Sequence, residues 1–217
     1  RARTVVSLDG DFLGTGPMQV RYARDFAQRR RNGESGAAMN RLYCAEPSPS
    51  LTGAMADHGL PARSGHIPVL AFALARALGL DVPGPSRPLE QKEQAWVCSA
   101  AEDLRRTRGA GLVLAGASQP PEVHVLVHAL NETLGNSGRT VAFTEPVAMN
   151  PGSSVESLRD LTDAMGRGAV DTLLILEGNP VYDAPADLRF AERLKKVPHS
   201  LHCGLYANET ALGCRWH

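Results

Sequence analysis

An excess of charge of either sign is missing from this chain: across 217 residues, lysine plus arginine number 23 and aspartate plus glutamate number 23, so the formal net charge is zero. Without a general positive field there is no long-range pull on phosphate backbones or anionic lipid, and nucleic acid is not an expected partner. Paired cysteines are missing as well. Cys44, Cys98, Cys203 and Cys214 are widely spaced and form no Cys-x-x-Cys, which excludes an encoded iron–sulfur cluster or zinc ribbon and leaves them as small buried hydrophobes. No apolar run reaches the ~20 residues needed to span a bilayer, and no secretory leader is visible, so direct membrane insertion is not expected of this stretch. The chain opens on Arg1 and stops at Trp216-His217, which reads as an excerpt whose targeting signals could lie outside it. Three catalytic signatures are absent too. There is no Gly-x-Ser-x-Gly elbow and no P-loop, and Gly109 and Gly111 precede their strand, whereas a dinucleotide fingerprint needs its glycines after the strand.

What is present is an ordinary globular composition, 43% hydrophobic and 21% charged, enough for a real core. Thr4 to Leu8 reads as a strand ending in Asp9-Gly10-Asp11, Met18 to Arg31 as a helix, and Arg41 to Glu46 as a strand halted by Pro47 and Pro49. From Ile67 to Leu78, Leu70, Leu74 and Leu78 recur every four residues beside Ala71 and Ala75, as an amphipathic helix requires, and Gly79 ends it. Pro83, Gly84, Pro85 and Pro88 make Asp81 to Pro88 a linker, followed by a helix from about Leu89 to Arg106. Strands and helices then alternate: Leu112 to Ala115 strand, Pro120 to Leu134 helix, Thr140 to Thr144 strand, Val155 to Met165 helix, Thr172 to Leu176 strand, Ala186 to Leu194 helix, Ser200 to Leu205 strand. Such alternation predicts an α/β fold: parallel Rossmann-like sheets with helices on both faces, in two lobes. The expected division is a first lobe over 1–80, a linker and helix over 81–108 and a second lobe over 109–217. Beyond the alternation, no internal repeat is evident.

In an open parallel sheet, ligands bind beyond the carboxyl ends of the strands. The candidate loops of the second lobe are Gly116 to Pro120, Glu145-Pro146, Gly178-Asn179-Pro180 and Tyr206 to Thr210, with Ser118 placed to cap the helix at Pro120-Pro121. Glu145, Glu177, Asp183 and Glu209 ring these loops with negative charge. The remaining clusters read as structural. His124 and His128 lie four apart but lack the zincin glutamate, and His199, His202, Cys203, Cys214 and His217 match no ligand spacing. Arg29-Arg30-Arg31, before Asn32 to Gly36, reads as a helix end running into a solvated loop.

Taken together, these loops resemble the molybdopterin oxidoreductases, in which two α/β domains grip the guanine dinucleotide tails of a bis-pterin molybdenum cofactor. Glu46-Pro47-Ser48-Pro49-Ser50-Leu51-Thr52 and Ala56 to His66 are similar to the family's Asp-Pro-Arg loop, Thr, Ala-Asp and Pro-Gly-Thr-Asp segments. Gly111 to Gly116, Leu130-Asn131 with Leu134-Gly135-Asn136-Ser137-Gly138, Gly178-Asn179-Pro180 and Glu209-Thr210-Ala211 are similar to its strand, Asn-x-x-Leu-Gly-Asn-x-Gly segment, Asn-Pro loop and Glu-Thr-Ala turn. Met39 to Tyr43, Ser50 to His58, Gln119 to His124 and Gly178 to Tyr182 most resemble the large peripheral subunit of alternative complex III, a bacterial quinol-oxidising assembly. The resemblance implies cofactor-binding positions at Glu46, Pro47, Thr52, Gly65, His66, Gly116, Ser118, Gly178, Asn179, Pro180, Glu209 and Thr210. It also implies partners among other subunits of a membrane respiratory complex, iron–sulfur modules outside residues 1–217, and a peripheral place on the periplasmic side of the bacterial inner membrane. Two departures predict that the cofactor is lost and the protein is a scaffold. Ser48 stands where the family has an arginine able to pair with phosphate, and His66 stands where it has a carboxylate able to accept from a guanine edge. The alternative is part of an active catalytic subunit that holds the bis-pterin molybdenum cofactor.

Overall fold

Thr4 to Leu8 is buried at every position, so β1 (Thr4–Leu8) needs a neighbour on each edge and cover on each face. It has both. In the computed structural model, which describes residues 2–31, 39–145 and 154–217, β1 pairs in parallel with β2 (Arg41–Glu46) on one side and with β4 (Gly111–Ala115) on the other. β3 (His58–Pro61) adds to β2, giving the order β3-β2-β1-β4. The period of two sorts the side chains. Val6, Leu8, Tyr43, Ala45 and Val113 face a core built with α3 (Ile67–Ala77), α4 (Gln91–Arg106) and α5 (Pro121–Thr133), while Val5, Leu42, Leu112 and Leu114 face Phe26 of α1 (Gln19–Gln28) and Phe12. This is a parallel α/β sheet of Rossmann-like architecture with helices on both faces, as the alternation predicts.

Local rules set the ends of these helices. α3 stops in a Schellman motif, with Gly79 at φ +91, Gly79 N–H on the Arg76 carbonyl and Leu80 N–H on the Ala75 carbonyl. A capping box of Glu90 and Glu93 opens α4. The start of α5 differs from expectation: Pro120 holds the N-cap with no side-chain cap, and Ser118 does not serve it.

The chain divides into compact units at Thr144/Glu145 instead of at Asp81–Pro88. β4 belongs with β1, in the register Val6↔Val113, so residues 109–144 complete the first sheet. Thr140 to Thr144 is not a strand; Val141 makes one bridge, to Ser137. The edge of β4 is already satisfied by side chains: Asn131 accepts from Val113 N–H and donates to its carbonyl, Asn136 accepts from Gly111 N–H, and Thr140 donates to the Gly111 carbonyl. At Gly111 and Val113 the groups a fifth strand would use are therefore already taken.

The second unit pairs β5 (Thr172–Leu176) in parallel with β6 (His199–Cys203). One face packs Leu173 and Ile175 on Met165 of α6 (Ser154–Gly166) and on Phe190 and Leu194 of α8 (Phe190–Leu194). α7 (Pro180–Asp183) follows β5, and α9 (Glu209–Gly213) follows β6. The expected helix over Ala186 to Leu194 is broken, because Arg189 sits at φ +49 between a 3-10 turn and α8.

Contrary to the sequence reading, the second unit repeats the opening of the first. Offsetting β1 by 168 residues and β2 to β3 by 158 matches the backbone hydrogen bonds that frame the strands. Asp9 N–H donates to the Ala45 carbonyl as Glu177 N–H does to Cys203, and Arg41 N–H to Arg3 as His199 N–H to Asp171. Asp57 N–H donates to Leu42 as Arg215 N–H does to Ser200. Even the start of β3 recurs: the bridge Leu201↔Trp216 matches the pair Tyr43↔His58.

Candidate functional site

Each unit carries the same clasp at the carboxyl ends of its strands. In the first, Thr52 of α2 (Leu51–Ala54) donates its N–H (3.0 Å) and Oγ1–H (2.8 Å) to Asp11 Oδ1, and its Oγ1 accepts from Leu13 N–H. In the second, Thr210 donates to Asn179 Oδ1 at 3.1 and 2.8 Å, and accepts from Val181 N–H. Ser50 Oγ accepts from Gly53 N–H as Asn208 Oδ1 does from Ala211 N–H, capping α2 and α9. The clasp thus ties the loop after one strand to the helix after the next, and both threonines are fully buried.

The first sheet reverses its strand order between β1 and β4, the place where an open α/β sheet offers a crevice. Here the crevice is closed. Gly116 lies so near the other loop that a Cβ on it would fall 1.9 Å from the Asp9 carbonyl oxygen. Asp9, at φ +63, accepts at Oδ2 from Gln119 Nε2 (2.7 Å) and Ser118 Oγ (3.2 Å). That contact accounts for Ser118, the expected cap. Both Gly116 and Ser118 belong to the first unit and not, as expected, to a second lobe.

The other matched positions of the first unit are also held internally. Glu46 accepts from Ser50 N–H and Oγ–H, and a Cβ on Gly53 would meet its Oε1 at 1.6 Å, so the carboxylate lies against α2. Pro47 and Gly65 are exposed beside these groups and bring no polar side chain. His66, buried at the start of α3, donates from Nε2 to Glu93 Oε1 (2.7 Å) and accepts at Nδ1 from Arg87 Nε (3.0 Å). Burial pushes the Glu93 carboxyl up, but the Glu90 N–H and the neighbouring His66 and Arg87 outweigh it and hold it below the usual range. Cys44 is an inert thiol, pushed up to about 12 by burial and by Glu46.

In the second unit, Gly178, Asn179, Pro180, Glu209 and Thr210 lie together. Asn179 Nδ2 donates to Glu209 Oε2 (2.6 Å), and Asn208 Nδ2 donates to the Gly178 carbonyl. His202 donates from Nε2 to that same carbonyl and accepts at Nδ1 from His217 Nδ1–H, 3.1 Å away. The loop borders an open groove of about 340 Å³, lined by Gly178, Asn179, Pro180 and Asp183 with Ser154 and Leu158 of α6.

Several sequence readings meet simpler ends. Arg29-Arg30-Arg31 does lie at the end of α1, where Arg30 forks onto Asp57 (3.0 and 2.5 Å) and lies over Phe26; residues 32–36 and Pro146 fall outside the described residues. Cys98 and Cys203 are exposed, not buried. His124 donates to the Gln119 carbonyl and His128 lies against Phe143. Among the described residues, no three histidine, cysteine, aspartate or glutamate side chains sit close enough to hold a metal ion.

Sequence reasoning missed Asp9 and Asp11. The signal was available as a recurring acid–Gly–(Asp/Asn) after a strand, Leu8-Asp9-Gly10-Asp11 and Leu176-Glu177-Gly178-Asn179. Fold and site define a Rossmann-like parallel α/β protein. No protein-family model matches the chain, and no curated protein matches it. The residues of the first unit do not fit a pyrophosphate-bearing cofactor. No matched position is lysine or arginine, the crevice is closed by Asp9 and Gly116, and the carboxylates of Asp9, Asp11 and Glu46 share the same sheet end.

Proposed function

We propose that the chain is an interior part of a molybdopterin-oxidoreductase-like subunit of a quinol-oxidising respiratory complex, and that it acts as a scaffold without the molybdenum cofactor. In this reading it packs against other subunits on the periplasmic side of the bacterial inner membrane, and the iron–sulfur modules lie outside residues 1–217. One observation carries the loss of cofactor: the polar side chains at the matched positions are bonded to their own neighbours. Glu46 binds Ser50, Thr52 binds Asp11, His66 binds Glu93, Ser118 binds Asp9, and Asn179 binds Glu209 and Thr210. A ligand would have to compete with these bonds, and at Thr52, His66 and Thr210, which are buried, breaking them would leave groups without partners. The open groove beside Gly178-Asn179-Pro180 is what favours the alternative, an active catalytic subunit holding a bis-pterin guanine dinucleotide.

Metal and pterin analysis of the intact protein separates the two. The scaffold predicts neither molybdenum nor tungsten, and a flat titration with guanine nucleotides. Stoichiometric metal with extractable pterin replaces it with the catalytic reading.

A further inference from the structure

The repeat places the same residues in two different surroundings. Val6, Leu8, Tyr43 and Ala45 have the counterparts Leu174, Leu176, Leu201 and Cys203. The first four are at most 1% exposed, under α3, α4 and α5; Leu174 is 57% and Leu176 71% exposed, and Cys203 is exposed. The edge of β1 that takes β4 corresponds to an edge of β5 that no strand pairs among the described residues. This face, with Thr172 and His199 at its start, carries no aspartate, glutamate, lysine or arginine. Among the described residues nothing covers these leucines, whereas parallel sheets are covered on both faces.

We infer that this face is a docking surface for the remainder of the second repeat, carried by the same polypeptide: an apolar helix equivalent to α3, arriving through a third strand that begins at Trp216. In the first unit the residue after His58 is Gly59, the counterpart of His217, and α3 opens at Ile67. Leu70 and Leu74 of that helix are fully buried in one cluster with Val6, Leu8 and Tyr43. The hydrogen bonds that set the frame are already made in the second unit, from Arg215 and Trp216 N–H to the Ser200 carbonyl and from His202 N–H to the Trp216 carbonyl. The third strand is therefore in register to deliver its helix onto Leu174 and Leu176. The inference rests on the reading of residues 1–217 as interior to a longer subunit.

Cys203 tests it without any substitution, since Cys98 is a second exposed thiol on the first unit. In the natural full-length polypeptide, Cys203 is expected to react with a maleimide about ten-fold more slowly than Cys98, as reactivity follows access. A photo-crosslinking residue in place of Leu176 should then join, by peptide mass mapping, an apolar helix close behind His217 of the same polypeptide. Labelling of Cys203 at the rate of Cys98 overturns the inference, as does an adduct to a second copy or to another subunit. The intact mass keeps the two levels apart. A natural polypeptide ending at His217 removes the underlying reading together with the inference, whereas a longer one with a bare face removes the inference alone.

Discussion

Leu8 and Leu176 occupy the same place in two copies of one motif, each before an acid–Gly step at the end of a parallel strand, yet Leu8 is fully buried and Leu176 is 71% exposed. The acceptor of the clasp is the charged Asp11 in one copy and the neutral Asn179, itself bonded to Glu209, in the other. The edges differ more: β4 closes one side of the first sheet with asparagine and threonine side chains on its own outer edge, while β5 has no such closure among the described residues. Local bonding is therefore the property of the motif, and burial is the property of what the chain lays over it afterwards.

The two leucines should differ most. Leu8→Ala is expected to cost about 2–5 kcal/mol, the usual toll of emptying a packed site. Leu176→Ala should stay within about 0.5 kcal/mol in residues 1–217, as surface changes do. Urea titrations followed by fluorescence are suited to this, because Trp96 lies in the first unit and Trp216 in the second. Equal costs at both leucines would mean that the second face is covered within these residues.

A smaller contrast concerns the clasps. Each change strands one N–H, of Leu13 or of Val181; Thr52→Val also removes a contact of a carboxylate, for about 1.5–3 kcal/mol, whereas Thr210→Val removes a contact of a neutral amide, for about 1 kcal/mol. Denaturation midpoints that fall equally for the two variants would show that the Asp11 charge adds nothing.

The smallest contrast is in acid. Asp57, Glu93 and Asp103 of the first unit are held below the ordinary carboxyl range. In each, burial pushes up and is outweighed by donors: Arg30 and Leu42 N–H for Asp57, Glu90 N–H with His66 and Arg87 for Glu93, Tyr43 and Arg41 for Asp103. A lowered folded value stabilises the protein above the unfolded one, about 4 for carboxylates, and that stability is lost as the pH falls through the lower folded value. In the second unit only Glu209, exposed, is lowered among the described groups, by Asn179. Trp96 fluorescence should therefore report destabilisation below about pH 4, and Asp103→Asn should flatten part of it. An unchanged acid profile in that variant would remove the Tyr43–Arg41–Asp103 network from the account.

Much of the fold was legible. β1, β2, β5 and α4 fall nearly where strand composition and periodicity place them, since propensity and pattern are local quantities. β3 was missed because His58-Gly59-Leu60-Pro61 has neither alternation nor length; it exists because Tyr43 to Glu46 offers it an edge. Thr140 to Thr144 failed for the converse reason, its edge being taken by Asn131 and Asn136. Of the site, the loop cluster Gly178 to Pro180 with Glu209-Thr210 was legible, while the engagement of Glu46, His66 and Ser118 was not. Their partners Asp9 and Glu93 lie 27 to 109 residues away in sequence in two of the three cases, His66–Glu93 and Ser118–Asp9.

The class of the fold, most of its strands, the end of α3 at Gly79 and the balance of charge follow from residues a few positions apart. That Gly111 to Ala115 sits beside Thr4 to Leu8, and that Asp9 meets Gly116, Ser118 and Gln119, emerges only in the folded chain. Those outcomes are set by pairing and burial between distant segments, where several partners satisfy the same local pattern and only packing selects among them.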